Sequence, residues 1–256
     1  MSFSRFCIKR ERLILYGRER MKKRRFRTEL AYVFGIVFVA LGVVLMEKAD
    51  FGVSMIVAPA YLVYRWLSPT WPFFTFGMAE YCLQAVLLAA MLLVLRRFRV
   101  SYLFSFVTAV VYGFVLDGFM LLGGLLPADG IWQRAIWYVL GMLFCAAGVS
   151  AMFHTYVSPE VYELFVKEIS ARFRLNINRF KTVYDCASCL IGVLLSFLAF
   201  GFGKFEGVKW GTVVCALVNG WVIGRFSAFY EKHWTFYDSL PLRKYFEPKI
   251  REKTFD

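Results

Sequence analysis

The sequence predicts an all-α integral membrane protein with six transmembrane helices. They form a 3+3 inverted repeat, with a short non-spanning helix after the first span of each repeat. Three observations carry this. Of 256 residues, 59% are hydrophobic and only 19% are charged, against about 45–50% and about 25% in soluble domains. The apolar residues gather into long charge-free runs. Two of those runs repeat each other.

The runs are Leu30–Met46, Tyr81–Leu95, Val100–Leu116, Ala135–Phe153, Cys186–Gly203 and Trp210–Gly224, each of 15 to 19 residues. Admitting one flanking polar residue lengthens each past 18, and a spanning helix needs about 20. Such runs exclude a soluble enzyme fold and the alternating strands of a β-barrel. The six cysteines (7, 82, 145, 186, 189 and 215) lie mostly inside the runs. They read as reduced thiols rather than a secreted disulfide framework.

Net charge is +13, which could indicate nucleic acid. Position argues otherwise. With six spans and an internal N-terminus, segments 1–29, 96–99, 154–181 and 231–256 hold 25 of the 31 Lys and Arg residues. This is the positive-inside bias, so the expected partner is the lipid bilayer and no nucleic acid is implied. Both termini are expected in the cytoplasm, with Pro127–Arg134 outside. The first 29 residues are basic and lack the apolar core of a signal peptide. Met21 is an alternative start, and the choice between it and Met1 stays open.

Tyr32–Lys48 reads YVFGIVFVALGVVLMEK and Tyr138–His154 reads YVLGMLFCAAGVSAMFH. At an offset of 106 residues, eight of seventeen positions are identical, both glycines included. Duplication is the simplest account. Glu80 and Asp185, 105 apart, begin corresponding spans, and Gly113 corresponds to Gly220, 107 apart. The organisation is a basic N-terminal segment 1–29, a first three-helix repeat 30–126, a second 131–230, and a basic, aromatic tail 231–256. Three spans per repeat force the copies to be antiparallel in the membrane. Many secondary transporters follow that plan.

Two non-spanning segments differ in character. Pro159–Arg172 is amphipathic, with Ser158 suited to an N-cap and Pro159 to the first helical position, and is expected to lie in the inner interface. Met55–Leu67 is apolar on all sides except Arg65, and is expected to dip into the membrane or pack among the spans. Structural elbow and gate remain open for both.

The run Ala49-Asp50-Phe51-Gly52-Val53-Ser54, following Gly42 and followed by Pro59, resembles the first-repeat signature of the YitT/YczE-type family of bacterial membrane proteins. Pro159-Glu160-Val161-Tyr162-Glu163-Leu164-Phe165-Val166-Lys167-Glu168-Ile169 is similar to the second-repeat segment. The resemblance covers roughly residues 30–228. It implies a multi-pass protein of the bacterial plasma membrane with no established activity, for which transport is often suspected. The tail is too short for the soluble C-terminal domain of YitT-like members, so the shorter YczE-like branch fits better. The family supplies no catalytic residues.

Charged groups within hydrocarbon are functional candidates. Glu80, Asp117, Asp185 and Arg225 qualify, and Asp50 joins them from the signature run. A rise of 1.5 Å per residue puts Glu80 and Asp117 roughly 6 Å outward of the midplane, and Asp185 and Arg225 roughly 7–8 Å inward. The expected groupings are therefore Glu80 with Asp117, a site for substrate or coupling ion, and Asp185 with Arg225, a gate or structural ion pair. Lys48 or Arg65 could neutralise the first grouping, and Lys181 could compete for Asp185. Cys186 and Cys189 lack further ligands for a metal, and Gly220 and Gly224 suit close helix packing. No catalytic set or cofactor motif stands out, so no enzyme, cofactor or metal is expected. The functional expectation is a secondary transporter of a small solute, coupled to protons or another cation. A non-transporting scaffold or regulator acting on a partner is the alternative. The sequence leaves oligomeric state open.

Overall fold

Long apolar sequence forms the spanning helices here, and glycine, proline or charge stands at or just beyond most of their ends. The structure is a computed structural model and describes residues 24–127, 130–156, 160–175, 177–203 and 205–239. Met21, Ala128 and Asp129, Ser158 with Pro159, and most of both basic ends lie outside the described residues.

In chain order the elements are β1 (Arg24–Arg27), α1 (Thr28–Ala49), α2 (Ala58–Leu67), α3 (Phe76–Leu95), α4 (Val100–Gly123), α5 (Ile131–Phe153), α6 (Val161–Phe173), α7 (Ile177–Phe200), α8 (Trp210–His233) and β2 (Trp234–Tyr237). Six of these helices (α1, α3, α4, α5, α7 and α8) are long and apolar enough to cross a membrane. The architecture is that of a multi-pass membrane protein. Large exposed side chains such as Leu93, Leu121, Leu198 and Leu217 suit a lipid-facing surface, since hydrocarbon removes the penalty that water imposes on them.

Helix α1 crosses α5 at the centre, and glycine permits the approach. A Cβ on Gly42 would stand 2.6 Å from the Cys145 amide nitrogen and 2.6 Å from the Gly141 carbonyl oxygen. One on Gly148 would meet the Gly35 carbonyl oxygen at 2.7 Å. Around this axis α4 packs on α1 and α8 on α5, α2 packs on α3 and α7, and α6 packs on α3, α4 and α7. Helices α7 and α8 make no comparable contact with each other, nor does α8 with α2.

Two expectations change. The amphipathic segment does not lie on the surface: Val161, Tyr162, Leu164, Val166 and Ile169 of α6 are buried, because its apolar face finds α3, α4 and α7 within reach. Gly220 and Gly224 meet no atom within 4 Å of an added Cβ, so they support no close packing. The chain ends add a feature that helix periodicity could not reveal. Strands β1 and β2 pair in parallel, Arg24 opposite Trp234 and Arg27 opposite Tyr237. The face carrying them is called the terminal face below.

Candidate functional site

A cavity of about 350 Å³ lies among α1, α5, α6, α7, α8 and residues 54–57. This is within the usual range of small-molecule sites, about 300–1,000 Å³. Its walls are apolar where α1 and α5 contribute Val39, Val43, Met46, Cys145, Val149 and Met152. They are polar where Glu160, just before α6, and Glu163 of α6 line them, with Lys181 and Asp185 of α7 and Asn219 of α8. Tyr112 of α4 closes the back wall, 1% exposed. Phe153 and Lys181, near helix ends at the terminal face, mark where the cavity reaches that side.

On the opposite side a knot of hydrogen bonds, called the seal below, ties the loop after α1 to the start of α8. Asp50 caps α1 with a left-handed backbone (φ 56°), which turns the following residues back over the bundle. The Val53 amide then donates to the Gly207 carbonyl at 3.0 Å, and the Gly211 amide donates to the Phe51 carbonyl at 2.8 Å. The buried Thr212 hydroxyl donates to the Val53 carbonyl at 2.7 Å, and the Tyr138 hydroxyl donates to the Gly211 carbonyl. Around this knot the Asp50 carboxylate pairs with Arg134 at 2.8 Å and Lys209 at 2.6 Å. Asp50 is about half exposed, so each ion pair contributes no more than about 1 kcal/mol. The buried backbone bonds hold the seal.

The five candidate residues fall in five different places. Asp50 sits in the seal. Asp117 accepts hydrogen bonds from the Thr75 hydroxyl and the Gly77 amide, both at 2.7 Å, and so anchors the first turn of α3. Glu80, fully buried, accepts a hydrogen bond from the Tyr162 hydroxyl at 2.9 Å. The structure forms no hydrogen bond between Glu80 and Asp117: Asp117 serves the start of α3, and Glu80 turns toward α6. Asp185 lines the cavity, whereas Arg225 lies exposed with its guanidinium 5.6 Å from the Trp221 ring centre. No ion pair joins them among the described residues. Lys181, expected as a rival, pairs with Glu163 at 2.6 Å, and Arg65 reaches Glu206 at 4.0 Å.

Sequence reasoning missed Glu160, Tyr112 and Asn219. Glu160 precedes α6, where the Gln84 side-chain oxygen accepts from the Val161 amide at 3.0 Å. Burial, and then the neighbouring Glu163 carboxylate, push the Glu160 carboxyl up to about 7 from its ordinary 4.5, against the pull of the Gln84 amide. Its folded pKa is raised, so its contribution to stability is complete below the ordinary value and is lost as pH rises through about 7. Glu160→Gln should therefore flatten the fall in thermal stability between about pH 4.5 and about 7. The shift bounds the effect at about 3 kcal/mol, and solvent at this partly exposed side chain lowers it further. Parallel melting curves for variant and wild type across that window would refute the assignment. The missed signal was a lone amide, Asn219, inside an otherwise apolar run, and Tyr112 beside Gly113.

Residues 26–228 match the model of DUF6198, a family of unknown function. No curated protein and no solved structure matches the chain.

Proposed function

The chain belongs to the DUF6198 family, and we propose that it is a secondary transporter of a small solute. The observation that carries the reading is the cavity, which we read as open toward the terminal face and closed by the Val53–Thr212 knot toward the other. A carrier caught with access from one side has that geometry; a scaffold needs no such space.

The proposal includes an inverted repeat. Shifting by 106 residues turns the Gly35–Gly148 contact into the Gly141–Gly42 contact. The same shift turns α1–α4 packing into α5–α8, α2–α7 into α6–α3, and α2–α3 into α6–α7. Two pairs have no comparable counterpart. Helix α4 packs on α3 and on α6, while α8 stands away from α7 and α2. Gly113 meets Gly77 across α3 and α4, whereas its counterpart Gly220 faces open space. The halves thus share a plan but differ in state, with α8 withdrawn. Exchanging those states would close α8 over the cavity and part α4 from α3, giving access from the other side. Solute would be carried and not chemically changed, with protons or another cation as the driving ion. The terminal face would be cytoplasmic in a bacterial plasma membrane, as the positive-inside bias supports. The YitT/YczE resemblance belongs to the same proposal.

The test is the purified full chain in liposomes, with a panel of small solutes offered under imposed proton or sodium gradients. At least one solute should move faster than in protein-free liposomes, and only with the gradient in place. If the folded protein moves none, the carrier reading falls, and a membrane scaffold acting on a partner replaces it.

A further inference from the structure

The polar wall of the cavity has buried acceptors left over, and its cationic donor is already engaged. Among the described residues, the buried Asp185 Oδ1 and Asn219 Oδ1 have no hydrogen-bond partner, and neither has the Tyr112 hydroxyl. All three residues line the same cavity. The one cationic donor nearby among the described residues is taken. The Lys181 ammonium is held by Glu163 at 2.6 Å. Two helices begin at the cavity, and their first amides are occupied: Ala58 donates to the Ser54 carbonyl at 2.9 Å and Val161 to the Gln84 side chain at 3.0 Å. An anion would therefore find no uncommitted cationic donor here among the described residues.

The charges agree with that count. Glu160, Glu163, Asp185 and Lys181 face the cavity, three acids against one base. The Lys181–Glu163 pair cancels, leaving Asp185 and Glu160 without an ion-pair partner among the described residues. A buried unpaired acceptor costs free energy until a donor reaches it, and a cationic donor satisfies charge and hydrogen bond together. Opposite these acids the walls are aliphatic, with Val39, Val43 and Met46 on α1.

We infer that this cavity binds a small organic cation, an ammonium group on a compact apolar body. The ammonium sits between Asp185 and Glu160, and the body lies against α1 and α5. The inference deepens the transport reading and rests on it. It also moves the solute away from Glu80 and Asp117, whose carboxylates serve α6 and the start of α3.

Three ligands sharing one ring test it by calorimetry on the purified full chain in detergent: cyclohexylmethylammonium, cyclohexylmethanol and cyclohexanecarboxylate. The ammonium should bind at least about tenfold more tightly than the alcohol, and the carboxylate should not bind measurably. Asp185→Asn should remove most of that preference, and Glu160→Gln should reduce it. The readout is the ratio of ammonium to alcohol affinity, which a merely loosened fold would not shift selectively. Both variants are first checked for cooperative melting as evidence of folding, and either one that folds suffices. Equal binding of ammonium and alcohol overturns the inference. So does tighter binding of the carboxylate, failure of the ammonium to bind wild type, or an unchanged ratio in a folded variant. The two readings fail separately. Ammonium binding without flux in liposomes defeats transport and leaves the site standing, whereas flux of an anion without ammonium binding does the reverse.

Discussion

Gly42→Leu is expected to prevent stable assembly of the membrane bundle. Even the first added carbon would fall 2.6 Å from the Cys145 nitrogen and the Gly141 oxygen. Both are backbone atoms of α5, so relief requires the two central helices to separate. Overpacking a core commonly costs about 1–3 kcal/mol when side chains can adjust. With backbone on the other side, the loss should be about 3 kcal/mol or more. Gly220→Leu is the control: with nothing within 4 Å, its effect should stay within about 0.5 kcal/mol, as for unencumbered surface positions. Denaturant titration of both variants in mild detergent reads the difference. Equal stability would mean that the α1–α5 crossing is not the structural axis of the bundle.

Gly52→Ala should release the seal on the side away from the termini. Gly52 has φ 109°, a backbone region that side chains disfavour by about 1–3 kcal/mol. An added methyl would also stand 2.5 Å from the Thr212 hydroxyl and 2.9 Å from the Lys209 nitrogen, a contact worth about 1–3 kcal/mol of overpacking. The combined loss should be roughly 2–6 kcal/mol. It should act locally, because Gly52 lies between the Phe51 and Val53 bonds that tie this loop to the start of α8. Cys215, 3% exposed and lining the cavity beyond the seal, supplies the readout. In oriented vesicles a membrane-impermeant maleimide added from the side away from the termini should modify Cys215 faster in the variant. If Cys215 stays protected from that side, access is controlled elsewhere.

The six long helices were legible because hydrophobic runs of spanning length have few other destinations, and α2 and α6 because prolines and polar residues interrupt the hydropathy. The pairing of charged residues was not legible. Rise per residue gives a side chain's height in the membrane, but the helix's rotation about its own axis decides what it faces. Asp117 and Glu80 were placed at one height, and rotation sends one to Thr75 and Gly77 and the other to Tyr162. Asp185 and Arg225 likewise turn to different surroundings. Neutral Tyr112 and Asn219 escaped attention for another reason. Within an apolar run an uncharged polar residue is inexpensive enough to be unremarkable, and it becomes informative only when its partner is seen to be missing.

The pairing of β1 with β2 has a consequence for how the chain is made. Arg27 and its neighbour Tyr237 are 210 residues apart, so β1 cannot find its partner until all six long helices have been synthesised. During translation, the three arginines of β1 and the exposed side of Phe26 wait beside the first helix while the rest of the bundle inserts. Closing so long a loop carries an entropic cost that grows only slowly with length, and the membrane-held helices have already brought the ends close. The strand pair is thus a late event in biogenesis.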